Sequence, residues 1–146
     1  MSRNLFAVGV TAGFVTLVGV AGCGAVGAVA GDTASCDRRV VAAEPRPTCQ
    51  ELVDTVAVPQ FRAECQNNLH GGYAEGLCPR AKAIGGCEVG GAQQDGSKFV
   101  EWFYDVTGDP NAKKYPATDI AKTISQVRAF CADGKRYEKG ARLVAP

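Results

Sequence analysis

Sulfur carries most of the reactive potential of this chain. Seven cysteines fall at positions 23, 36, 49, 65, 78, 87 and 131. Cys36, Cys49, Cys65, Cys78, Cys87 and Cys131 form an even set, whose expected product in an exported chain is three disulfides, with the pairing left open. Thiolate ligation of zinc is the competing chemistry. It uses cysteines two to four residues apart, and the closest pair here, Cys78 and Cys87, is wider. No metal and no cofactor is expected.

Other reactive side chains are sparse. His70 is the only histidine, and its setting in Asn68-Leu69-His70-Gly71-Gly72 reads as a solvated loop rather than a general base. Ser97 and Ser125 lack the G-x-S-x-G elbow of a nucleophilic serine. Glu101 and Asp105 fall on one side of a strand pattern, where two carboxylates can serve glycoside hydrolysis; a half-exposed strand face accounts for them more simply. Asp105, Asp109 and Asn111 lie close together without the spacing of a calcium loop, so they read as turn chemistry. The glycine pairs sit in no phosphate-binding or dinucleotide context, and no C-x-x-C redox motif occurs. No catalytic residue is expected.

Cys23 has a different setting from the other six. Arg3 and the amino terminus make a short positive start, Leu5 to Val20 carry no charge, and Val20-Ala21-Gly22-Cys23 closes the apolar run. This is the shape of an export signal. It resembles the lipobox of bacterial lipoproteins, which are cut immediately before the cysteine. The resemblance implies removal of residues 1–22, diacylglycerol of the palmitate class on the Cys23 sulfur, and a further acyl chain on its new amino group in many bacteria. Gly24 is not aspartate, which under the sorting rule of enteric lipoproteins implies the outer membrane. Two other readings stay open. Ala28-Val29-Ala30 is a small-x-small site, so cleavage after Ala30 would release a soluble secreted or periplasmic protein. The apolar stretch also runs to Gly31, and roughly 26 residues can span a bilayer as an uncut helix, although its glycines each weaken a helix by about 1 kcal/mol.

Removing Arg3 from 16 Lys+Arg leaves 15 against 15 Asp+Glu. A mature chain without net charge has no field to steer it to nucleic acid, and no nucleic-acid partner is expected. The expected contacts are the membrane, through the lipid, and a protein or polysaccharide partner in the envelope.

Residues 23–47 read as a Gly/Ala/Pro tether, complicated by Cys36. Residues 48–146 read as a cysteine-rich α+β domain, with a short antiparallel sheet and two helices. Thr48-Cys49-Gln50-Glu51 matches a capping box, which predicts a helix carrying Leu52, Val53 and Val56 on the face of Cys49. Pro59 would end or kink it, with a further turn or two through Phe61 to Cys65 stopping before Asn67. Strands are predicted at Tyr73 to Cys78, Ala83 to Val89 and Lys98 to Val106, with Gly90-Gly91 and Asp95-Gly96 as turns. In the last of these, Val100, Trp102, Tyr104 and Val106 alternate onto the predicted core face. Thr107 to Pro116 reads as a loop. A second helix capped near Thr118 or Asp119 would bury Ile120, Ile124, Val127 and Cys131 as one stripe. Gly134 would close it, before a last strand from Arg136 to Val144.

A weak internal echo runs through this order. Arg62-Ala63-Glu64-Cys65 returns as Arg128-Ala129-Phe130-Cys131, and Tyr73-Ala74-Glu75-Gly76 as Tyr137-Glu138-Lys139-Gly140. Both halves read helix, terminal cysteine, turn, strand, which is evidence for architecture rather than function. The order Cys65, Gly71-Gly72, Cys78-Pro79, Gly86-Cys87, Trp102-Phe103-Tyr104 and Cys131 resembles small cysteine-rich predicted lipoproteins of myxobacteria and similar bacteria. The likeness covers about residues 61–140, leaves out Cys36 and Cys49, and implies location and cysteine chemistry but no activity. The function expected is a lipid-anchored envelope protein with a binding or structural role. Behind it stand a secreted disulfide-rich inhibitor or effector, and then a small envelope hydrolase using His70 or Glu101 with Asp105.

Overall fold

The computed structural model describes residues 32–40, 44–55, 57–89, 97–137 and 140–146. The lipobox with Cys23, the turn glycines at 90, 91 and 96, and Val56 lie outside the described residues. The fold is a small α+β domain: one antiparallel sheet of six strands in the order β3-β1-β2-β5-β4-β6, two helices and three disulfides. In chain order these are β1 (Asp32–Asp37), β2 (Thr48–Thr55), α1 (Val58–Ala63), β3 (Gly72–Glu75), β4 (Ala83–Val89), β5 (Lys98–Tyr104), α2 (Ile124–Cys131) and β6 (Ala141–Val144). Among the described residues no helix is long and apolar enough to cross a membrane.

The sheet is built from two equivalent halves. In the first, β1 lies between β2 and β3; in the second, β4 lies between β5 and β6. Cys36 faces Gln50 and Cys87 faces Glu101, an offset of 51 residues that the flanking pairs keep, from Ala34–Leu52 with Gly85–Phe103 to Asp37–Cys49 with Glu88–Val100. The halves meet where β2 pairs with β5, and Gln50 is there opposite Glu101. Directly opposed residues of antiparallel strands share a face. Cys36, Gln50, Glu101 and Cys87 therefore line one face in sequence across the sheet, related by a pseudo-twofold axis between β2 and β5.

Each half repeats the same bridge on that face. Cys36 on β1 joins Cys65, just past α1, and Cys87 on β4 joins Cys131, the last residue of α2. The helices consequently cover one side of the sheet, each over a small residue: Ala34 is fully buried beneath the first, and a side-chain carbon on Gly85 would lie 2.6 Å from the tip of Ile124 of the second. The opposite side carries Val100, Trp102 and Tyr104, closed by the third bridge, Cys49–Cys78, and the segment that follows it. The central strand β5 is thus covered on both faces, so Phe103 and Glu101 are buried along with the predicted Val100, Trp102 and Tyr104. Val106 lies past the strand end and is half-buried.

Several expectations from local pattern do not hold. Thr48-Cys49-Gln50-Glu51 begins β2 rather than a helix, because its backbone groups are taken by β1 on one side and β5 on the other. The stretch expected to be a tether contains β1; its side chains are small, but Ala34 and Cys36 are fully buried between β2 and β3. Pro59 opens α1 instead of ending a helix, at a first-turn position where its missing N–H costs nothing. The chain then widens into a π-helical turn, Glu64–Asn68, which continues through Asn67.

The second helix starts four or five residues later than expected. Thr118 and Asp119 belong to a short 3-10 turn, Ala117–Asp119, and Thr123 is the cap, its hydroxyl accepting from the Gln126 N–H at 3.3 Å. Ile120 therefore precedes the helix and is half-buried, while Ile124 occupies its first position and is 40% exposed. Val127 and Cys131 are buried as expected. The last strand begins at Ala141 rather than Arg136, because residues 133–136 form a turn that places Tyr137 in the core. Tyr137 is accordingly not the counterpart of Tyr73 in the sheet. Tyr73 lies opposite Cys36, and the residue opposite Cys87 is Leu143.

Candidate functional site

On the helix side, one end of the sheet collects charge instead of apolar surface. Arg38 continues β1 and Arg46 leads into β2, and backbone bonds tie them together: Arg38 N–H donates to the Thr48 carbonyl and Arg46 N–H to the Arg38 carbonyl, both at 3.0 Å. The second half brings Glu101 from β5, Asp119 from the 3-10 turn, and Arg136 and Tyr137 from the turn after α2. Asp119 is bound on both oxygens, by Arg46 Nη1 at 2.7 Å and Arg136 Nη2 at 2.8 Å. Glu101 accepts from the Tyr137 hydroxyl and lies 3.7 Å from Arg136 Nε. Burial and the neighbouring Glu101 carboxylate push the Tyr137 hydroxyl far above its ordinary pKa, so it serves as a fixed donor.

Three guanidinium groups thus meet two buried carboxylates, with the exposed Glu44 as a third acid within electrostatic reach of Arg38. Arg38 has no ion pair among the described residues. Burial and the like charge of Arg46 lower its pKa, while the carboxylates of Glu101, Asp119 and Glu44 act against them without ion-pair contact. Beside it the Nε of Arg38, the Nε of Arg46 and the Oγ1 of Thr48 are buried without a hydrogen-bond partner, and Thr48 is fully buried. The cluster holds buried polar atoms that no hydrogen bond uses. Its two buried carboxylates are both in contact with arginine.

The other face presents an open cleft of about 370 Å³ at the same end of the sheet, lined among others by Asp37, Arg39, Lys82, Tyr104, Asp105 and Asp109. Its polar groups satisfy one another. Arg39 clamps both oxygens of Asp37 at 2.6 and 2.9 Å and stacks 3.8 Å over the Tyr104 ring. Asp105 accepts from Thr107 N–H at 2.8 Å; Asp109 accepts from Asn111 N–H and the Tyr115 hydroxyl, each at 2.7 Å. The acidic trio is turn chemistry, as its spacing implies. Deeper on this face, buried Glu51 takes both arms of Arg80 at 2.9 and 3.0 Å together with the Cys78 N–H, and Arg80 lies 3.9 Å over Trp102.

The residues considered for hydrolysis are not assembled. Glu101 is buried under α2's half of the sheet, whereas Asp105 lies beyond the strand end, exposed, with its carboxylate turned to Thr107. His70 is exposed in a left-handed backbone conformation (φ 50°) before Gly71. Among the described residues, no three His, Cys, Asp or Glu side chains are grouped to hold a metal ion. The cluster of Arg38, Arg46, Asp119 and Arg136 was not legible as a site, since these residues are scattered over the chain; the one signal was the closeness of Arg38, Arg39 and Arg46. No family model, curated protein or solved structure matches the chain.

Proposed function

We propose that this is a lipid-anchored protein of the bacterial cell envelope, sorted to the outer membrane, whose disulfide-stapled domain acts as a binding or structural module rather than a catalyst. The observation that supports it best is the complete pairing of Cys36, Cys49, Cys65, Cys78, Cys87 and Cys131. Disulfides persist in oxidising compartments, and this pairing leaves Cys23 of the Val-Ala-Gly-Cys sequence as the one thiol available for a lipid. Two or three acyl chains hold a protein far more firmly than one, at about 0.8 kcal/mol per buried CH2. Because β1 begins at Asp32, at most roughly 30 Å of chain separates the lipid from the sheet, at 3.3–3.6 Å per residue. The domain would work close to the headgroups.

A secreted form cut after Ala30 is the second reading, and one observation favours it: the cut would fall just before β1 and leave the sheet whole. Intact mass of the purified protein separates the two. An acylated chain beginning at Cys23 is expected, and Cys23→Ala should move the protein from the membrane pellet to the soluble fraction. A chain beginning at Gly31 would replace the lipoprotein reading with the secreted one.

A further inference from the structure

We propose that the helix-side charge cluster is a binding site for a small oxyanion, a carboxylate or phosphate group, held by Arg38, Arg46 and Thr48. The inference rests on this cluster alone and does not depend on the lipid anchor.

The argument starts from unused donors. A buried polar hydrogen left without an acceptor costs about 1–3 kcal/mol, and native proteins keep such groups rare. Here three of the five such atoms among the described residues, Arg38 Nε, Arg46 Nε and Thr48 Oγ1, belong to residues joined by consecutive backbone hydrogen bonds at one end of the sheet. The buried carboxylates of the cluster are already engaged. Both oxygens of Asp119 are taken, and Glu101 is engaged by Tyr137 and Arg136. Arg38 is left without an ion-pair partner, with Glu44, Glu101 and Asp119 acting on it only from beyond contact.

A ligand that answers this arrangement must bring negative charge and more than one acceptor atom. Carboxylate and phosphate groups do both, and guanidinium binds each through parallel N–H donors. A water molecule would supply an acceptor but leave Arg38 without an ion-pair partner. Chloride would supply charge without the divergent acceptor atoms that two Nε groups and a hydroxyl require. The equivalent place in the other half shows that the fold does not need the cluster for its own sake. Offset by the same 51 residues, Arg38, Arg46 and Thr48 correspond to Val89, Ser97 and Phe99, so the equivalent place holds two apolar side chains and one small buried hydroxyl and no charge.

The test is an NMR titration of the arginine Nε–Hε signals in the full chain with its disulfides formed, using acetate, inorganic phosphate and chloride at constant ionic strength. Saturable shifts of the Arg38 and Arg46 signals with acetate or phosphate, and not with chloride, are expected; the stronger of the two arms identifies the class of group. Arg38→Gln should weaken that binding at least ten-fold. Arg46→Lys, which keeps the charge but removes the Nε donor, serves as a second variant should Arg38→Gln fail to fold. Arg142→Gln, which alters an exposed fork to Glu88 on the opposite face, should leave it unchanged. Shifts that climb without saturation for all three anions, or that persist in both arginine-cluster variants, would overturn the proposal.

Discussion

The two halves of the sheet share strand order, register and a strand-to-helix disulfide, yet they fill the equivalent spaces with opposite chemistry. Beneath α1, Ala34, Phe61, Leu52 and Phe99 make an ordinary apolar core around Cys36–Cys65. Beneath α2, Phe103, Val127 and Tyr137 pack around Cys87–Cys131, but Glu101 stands where the first half has Gln50, and a network of arginines grows outward from it. The opposite face differs in the same manner. Glu51 occupies the place of Trp102, and Arg80 serves both, clamping the carboxylate and stacking on the indole. A duplicated backbone therefore tolerates either an apolar or an ionic filling, provided each buried charge meets its partner. Arg38 is the one guanidinium of the cluster without an ion-pair partner among the described residues.

The bridges offer the strongest way to break this comparison. If the halves are mechanically equivalent, replacing both cysteines of Cys36–Cys65 or both of Cys87–Cys131 by alanine should cost similar amounts. Chain-entropy scaling gives about 4 kcal/mol for each, since the spans are 29 and 44 residues. Urea unfolding monitored at Trp102 measures both; a difference well above about 1 kcal/mol would show that one half carries the stability.

Two glycines sharpen it at smaller scale. An added side-chain carbon at Gly71 would lie 2.4 Å from Cys36 Sγ and 3.1 Å from Cys65 Sγ. Gly71→Ala must displace the disulfide and should cost about 1–3 kcal/mol, the usual range for overpacking. Gly85→Ala makes the second half resemble the first, where Ala34 holds that place. Its nearest neighbour is the tip of Ile124, a 40% exposed side chain free to swing away. The change should be within about 1 kcal/mol of neutral, because alanine also restricts the unfolded chain. The same urea midpoints decide whether the two substitutions separate.

A further effect concerns pH. Burial raises the Tyr104 hydroxyl to about 12, and it donates to the Pro79 carbonyl at 2.6 Å. A pKa raised on folding contributes stability that is fully present below the unfolded value, near 10 for tyrosine, and is lost as pH rises through the folded value. Stability should therefore decline between pH 10 and 12. Tyr104→Phe should flatten that part of the profile relative to the parent chain, as read by urea midpoints at stepped pH.

Much of the frame was legible in the residues themselves. Ala83–Val89 is a strand with the predicted bounds, and Val100, Trp102 and Tyr104 are core, because alternation of large apolar side chains reports a half-sheet directly. The echo of Cys65 in Cys131 marks a true structural equivalence, whereas the tyrosine echo does not, since loop lengths after the helices differ and shift the edge strands. Two threonines carry the sharpest lesson. Thr48-Cys49-Gln50-Glu51 and Thr123-Ile124-Ser125-Gln126 both satisfy the capping pattern, yet only the second caps a helix. Nothing local distinguishes them; the first is flanked by two strands whose backbone groups it must satisfy.

The amino-acid sequence by itself determined the α+β class, the pairwise use of six cysteines and the aromatic strand at the centre, because each follows from side-chain type and short-range period. The bridge partners, the burial of both faces of that strand and the meeting of Arg38, Arg46, Asp119 and Arg136 were decided only by tertiary structure. They depend on which strands lie side by side, and that choice is made by backbone pairing between residues distant in the chain, where no local pattern reaches.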